Sequence, residues 1–244
     1  MTASIRTIEG TPYRIVEQGG LRRLMMVGDD VATYSEMLLG APDVLVTATT
    51  RLMLNALPFA PRLDDILMIG LGGGQQARLL HRRLAATRLV CVDADPASVH
   101  IARSWFGLPP DDARLQVVIG DGEAYVNAHA QCCDLLLCDG YDPQVPPVLA
   151  SSGFYAGCHA ALRPGGVMAL HLDRRCPFWR SEQLRTLQHL FAHHIELPVD
   201  QDQSVLLLFR DAAGADAAAV MQRARALDAL LDLGLGEFVA RLGD

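Results

Sequence analysis

The 244-residue chain has no lysine; its 21 basic residues are all arginine. That excludes Schiff-base catalysis, the phosphate-binding lysine of P-loop proteins and the ATP-binding lysine of kinases. No apolar run reaches the roughly 18 residues that a membrane helix needs, so no membrane partner is expected. The opening residues, MTASIRTIEG, lack a basic stretch followed by an apolar one. No signal peptide is therefore read, and a cytoplasmic location is expected. Positive charge is outnumbered by 28 acids, for a formal net charge of −7. An acidic chain disfavours nucleic acid as a partner and favours cationic substrates. None of the six cysteines forms a C-x-x-C pair, and no H-E-x-x-H occurs among the eight histidines. Cys91, Cys133 and Cys138 lie in apolar runs, where cysteine acts as a small hydrophobe. No metal site is expected.

Half of the residues are hydrophobic, enough for one sizeable core. Residues 1–40 form an N-terminal region; within it, residues 1 to about 30 read as one or two β-hairpins turning at Gly19-Gly20. From about residue 41 a Rossmann-like catalytic domain is expected to run to residue 244. TATTRLMLNAL has helical spacing and stops near Pro58. A regular alternation follows. DILMIG, RLVCVD, LQVVIG, CDLLLCD, GGVMALHL and SVLLLFR read as strands. GQQARLLHRRLA, PASVHIARSWFG, GEAYVNAHA, GFYAGCHAAL and SEQLRTLQHLFAHH read as helices, and the tail from Ala215 as one or two more. Strands alternating with helices predict an α/β, doubly wound, mostly parallel sheet, which binds ligands beyond the carboxyl ends of its strands.

Chemistry-bearing residues collect at those ends. The first strand of the alternation runs into Gly70, Gly72 and Gly74, followed by Gln75. Glycines allow a tight turn and a close approach of ligand to backbone. The second strand ends at Asp93, a little more than 20 residues after the loop begins, where an acid can take both hydroxyls of a ribose. The third ends at Asp121-Gly122, and its acid can accept from an adenine amino group. Because Gln75 replaces the last glycine of G-x-G-x-x-G, the loop suits an adenosine without a pyrophosphate. The fourth ends in CDGYDP, which sets Asp139 and Asp142 three residues apart. Two like charges there repel unless a cation or a proton sits between them. The bland alternative is that these acids cap helices and shape turns.

The spacing of IGLGGGQQ, VCVDADP, VIGDGEAYV, LLCDGYDP and LRPGGVMAL resembles the class I methyltransferase fold and, within it, the spermidine synthases (polyamine aminopropyltransferases). The resemblance implies a co-substrate, decarboxylated S-adenosylmethionine or S-adenosylmethionine, and a small amine as the second substrate. It also implies a homodimer. Asp139 would help to deprotonate the attacking amine, and Asp142 would hold it, with Tyr141 between them on the substrate side. Gln75 stands at the position taken as that of the loop acid that holds the family's aminopropyl ammonium. A Y-x-E-M element is matched in letters by Tyr34–Met37 but lies too far ahead of Gly72; Tyr34 is instead placed where the family has a nucleoside-contacting Gln. Two further readings stay open: a methyltransferase acting on a small molecule, and a non-catalytic nucleoside-binding paralogue.

Overall fold

A computed structural model of the chain describes residues 3–28, 33–140, 151–174, 181–211 and 216–243. Tyr141, Asp142 and Cys176 lie outside the described residues. The N-terminal region is a four-stranded antiparallel meander of β1 (Ser4–Thr7), β2 (Tyr13–Gln18), β3 (Leu21–Met26) and β4 (Thr33–Leu38). The expected hairpin turn is there: Gly19 and Gly20 both take positive φ, 61° and 79°, the conformation a two-residue turn requires. The sheet extends further than its turn signals imply, because the strand carrying Tyr34–Met37 adds to its edge.

Helix α1 (Ala48–Leu54) and a 3-10 turn at Leu57–Phe59 lead into the main sheet. There β5 (Asp65–Ile69), α2 (Gln75–Arg83), β6 (Arg88–Asp93), α3 (Pro96–Phe106), β7 (Leu115–Ile119), α4 (Gly122–Ala128), β8 (Cys133–Cys138), α5 (Ser152–Ala161) and β9 (Leu162–Asp173) alternate. Then come α6 (Ser181–Leu190), β10 (His193–Pro198), β11 (Gln203–Phe209), α7 (Ala217–Leu231) and α8 (Leu235–Leu242). The strand order is β10-β11-β9-β8-β5-β6-β7. The five strands from β9 to β7 are parallel, and β11 runs against both of its neighbours.

One element departs from expectation. The helix read through His193-His194 stops at Leu190, and the two histidines open the edge strand β10. Its residues are mostly exposed, so the alternation that marks a half-buried strand is weak there. Pro198 sits at its end, a place in an edge strand that tolerates the missing N–H.

Why the central strands read as unbroken apolar runs follows from their two covered faces. Ile66, Met68, Leu135, Leu137, Val167, Ala169, Val205 and Leu207 point to one face. Leu67, Ile69, Leu136, Cys138, Met168, Leu170, Leu206 and Leu208 point to the other. Each such buried Leu or Ile stabilises the fold by about 1.5–3 kcal/mol. A smaller cluster, Ile15, Leu24 and Met37 with Ile101 and Phe106, packs the N-terminal sheet on α3. At the amino ends of the strands, Asp134 is 2% exposed and accepts from the amides of Asp64 and Asp65. Arg163 bridges Asp134 and Asp65 at 3.2 and 2.7 Å. Among the described residues, no helix is long and apolar enough to cross a membrane.

Candidate active site

The chain enters the sheet at β5, winds outward through β6 to β7, then returns to the other side of β5 as β8. Such a reversal opens a crevice at the carboxyl ends of the two middle strands. Backbone bonds fix its rim: Gly70 N donates to Val92 O, Asp139 N to Ile69 O and Gly120 N to Asp93 O, each at 2.9 Å. Gly70, with Asp139 on one side and Asp93 on the other, therefore lies at the centre. Two inter-strand spacings put these acids about 10 Å apart.

The loop after β5 takes the shape its glycines predict. Gly70, Gly72 and Gly74 have φ of 88°, 51° and 69°. A Cβ on Gly70 would stand 2.6 Å from Asp139 O and 2.7 Å from Gly140 N, so only glycine fits. Gly74 N donates to Leu71 O at 2.8 Å, which closes the turn into α2.

Asp93 serves this loop directly. Its Oδ2 accepts from Leu71 N at 2.7 Å and its Oδ1 from Asp95 N at 2.9 Å. Burial pushes the carboxyl above its ordinary range, while the amides of Asp95, Leu71 and Gly72 pull the other way. A carboxylate offers about four acceptor sites, so capacity remains beyond these bonds. Asp121 is exposed and caps α4, its Oδ1 accepting from Ala124 N at 2.7 Å; Gly122 begins that helix and is buried.

Of β4, the sequence points to Tyr34 alone; Ser35 and Glu36 carry no signal of their own. Ser35 Oγ accepts from Gly73 N at 2.7 Å in a buried bond. Gln75 is 8% exposed, and its Nε2 donates to Glu36 O at 2.7 Å. That bond holds β4 against the loop through the amide nitrogen of Gln75. Tyr34 lies beside it on β4, with its carbonyl 3.7 Å from where a Gly72 Cβ would be. Its ring meets that of Tyr13 edge-on, centroids 6.0 Å apart. Burial, then a hydrogen bond to Asp95, raises the Tyr13 phenol well above its usual range. Tyr13 thus joins the Asp93 end of the crevice, another residue that the sequence does not signal.

On the other side, Asp139 has a partner. Its Oδ1 is 2.8 Å from His171 Nδ1 on β9. The Asp139 side chain is 32% exposed and that of His171 14%. The signal in the sequence is a lone imidazole ending the apolar run VMAL. Among the described residues, no group of His, Cys, Asp and Glu could hold a metal ion.

Residues 33–205 match the family model of the spermine/spermidine synthase domain. The chain is 32% identical over 239 residues to a polyamine aminopropyltransferase of Chromobacterium violaceum, covering 96% of this chain and 91% of the relative. Its fold matches that of a spermidine synthase solved in complex with the transition state analogue AdoDATO, with a TM-score of 0.66 at 17% identity, over 91% of this chain and 76% of that one. Human methyltransferase-like protein 13, solved in complex with SAH, matches with a TM-score of 0.65 at 24% identity, over 75% of this chain and 91% of that one. At such identities the structural matches speak for the fold. The glycine loop, the acids at the strand ends and a family match spanning well over half of the chain lead to one conclusion: this chain belongs to the spermine/spermidine synthase family.

Proposed function

We propose that the chain transfers the aminopropyl group of decarboxylated S-adenosylmethionine to a small amine. The observation that carries the reading is the glycine loop after β5, flanked at the carboxyl ends of the strands by Asp139 on one side and Asp93 on the other. A Cβ on Gly70 would collide with the backbone of Asp139 and Gly140, so glycine lets the two strand ends meet closely; both flanking acids have acceptor capacity to spare, so the residues suit an adenosine bearing a positive charge. The relative's name, polyamine aminopropyltransferase, and the analogue-bound spermidine synthase support it.

The donor, when bound, supplies a carbon activated by a positively charged sulfur. Asp93 takes the ribose hydroxyls on the lone pairs that Leu71 and Asp95 leave open, and Asp121 accepts from the adenine amino group on its second oxygen. Gly70, Gly72 and Gly74 let that adenosine approach the backbone. Gln75 holds the loop in place through Glu36. Asp139 first attracts the acceptor, since an alkyl ammonium has a pKa of about 10 and arrives charged. Asp139 accepts a proton from that ammonium, which frees the nitrogen lone pair; the nitrogen then bonds to the propyl carbon as the carbon–sulfur bond breaks, and methylthioadenosine leaves. Asp142 and Tyr141, outside the described residues, are the candidates for holding the far end of the amine. With this reading go a cytoplasmic location, expected from the sequence pattern of the opening residues, and a homodimer, carried by the family resemblance.

A methyltransferase is the second reading. It is favoured by one observation, a loop from Gly70 to Gln76 that carries no acid and so nothing to repel the carboxylate of intact S-adenosylmethionine. Calorimetry separates the two. Tighter binding of the decarboxylated donor than of S-adenosylmethionine supports aminopropyl transfer, and the reverse order overturns it.

A further inference from the structure

The reading of Asp139 as proton acceptor leaves open what aims it. Asp139 follows the last residue of β8, and an isolated carboxylate there could rotate freely. The register supplies a neighbour. Cys138 pairs with Leu170 on the parallel strand β9, and both point into the same core cluster. Alternation therefore turns the next residues, Asp139 and His171, together to the opposite face. There the ring lies within hydrogen-bond distance, Nδ1 to Oδ1, at 2.8 Å. An ionised carboxylate only accepts, so the proton of this bond belongs to Nδ1. The ring is 14% exposed, which limits its own rotation. Among the described residues, His171 is the only side-chain partner of Asp139.

We propose that His171 is a positioning residue for the transfer reaction: its Nδ1–H fixes Asp139 in one rotamer and leaves the second carboxylate oxygen for the amine. The inference rests on the reading of Asp139 given above. A misplaced group of this kind costs up to about 100-fold in rate, without touching the adenosine side of the crevice.

The test compares His171→Leu, which removes the donor, with His171→Asn, whose amide nitrogen falls near the position of Nδ1. Transfer is followed as methylthioadenosine released from decarboxylated S-adenosylmethionine, with putrescine, cadaverine and agmatine as acceptors. The expected result is a drop in kcat of about 10- to 100-fold for His171→Leu, with unchanged affinity for methylthioadenosine and recovery of most of the rate in His171→Asn. Equal loss in both variants, or a matching loss of nucleoside affinity and thermal stability, would mean a structural residue and overturn the proposal. Nitrogen NMR of the ring in the parent protein reads the same bond without turnover or a variant that must fold: a protonated Nδ1 is expected, and a bare Nδ1 overturns it. Asp139→Asn keeps the two readings apart. If it transfers at the parent rate, the acid assignment is wrong; if it is inactive while His171→Leu keeps the parent kcat, only the positioning role fails.

Discussion

Replacing Gly70 by alanine tests the close seat of the loop against Asp139 without any ligand. The residue has φ of 88°, a region that costs an L-residue about 1–2 kcal/mol. A Cβ would also lie 2.6 Å from Asp139 O and 2.7 Å from its carbonyl carbon. Both are backbone atoms, held by the bond from Asp139 N to Ile69 O, so they cannot yield as a side chain can. Overpacking of this kind adds about 1–3 kcal/mol. Gly20→Ala is the control, because Gly20 has φ of 79° and open space around its missing Cβ. Both substitutions lower the entropy of the unfolded chain alike, so that effect cancels in the comparison. Urea unfolding is expected to show Gly70→Ala less stable than Gly20→Ala by about 1–3 kcal/mol. In a chain of this size each kcal/mol shifts Tm by about 2–4 °C. Equal losses in the two variants would refute the close approach of the loop to Asp139, and with it the shape of the site.

Asp139→Asn is expected to keep nucleoside binding by calorimetry and to lose transfer; turnover at the parent rate would show that this acid does not take the proton. Gln75→Asp places a carboxylate against the Glu36 carbonyl and removes a donor, so a loss of about 1–3 kcal/mol in denaturant unfolding is expected, with no gain for the decarboxylated donor; a faster reaction would show that this side chain reaches the donor. Ser35→Ala leaves the buried Gly73 N–H without its acceptor, a similar cost of about 1–3 kcal/mol, and is expected to weaken methylthioadenosine binding; unchanged affinity would separate β4 from the site. Asp65 is held below the usual carboxylate range, first by its bond to Arg88 and then by Arg163. Its stabilisation is therefore fully present above its unfolded pKa of about 3.9 and is lost as pH falls through the lower folded value. Asp65→Asn is expected to flatten that acid limb in urea midpoints taken against pH, and an unchanged slope would assign acid sensitivity elsewhere.

Local pattern carries most of the main sheet. Strands buried on both faces announce themselves as apolar runs, and helix signals such as Pro96 and the αL Gly107 lie within a residue of the ends of α3. The glycine loop and Asp93 were legible because a strand end, a tight turn and an acid follow each other closely in sequence. Contacts made across long stretches of chain were not. Ser35 meets Gly73, and Glu36 meets Gln75, across 38 and 39 residues, and nothing local to β4 marks that docking. Spacing set Tyr34–Met37 too far ahead of Gly72; α1 and the segments around it take up the extra chain, so β4 still reaches the loop. His171 becomes meaningful only once β8 and β9 are known to be neighbours in register. Asp121 illustrates the opposite case, where the visible geometry is the bland one: a helix cap.

The most direct test of aminopropyl transfer is mass spectrometry of the products formed from each donor in the presence of putrescine, cadaverine and agmatine. Decarboxylated S-adenosylmethionine is expected to give an aminopropylated amine together with methylthioadenosine, and S-adenosylmethionine to give neither. A methylated acceptor with S-adenosylhomocysteine, formed from the intact donor alone, would contradict the account.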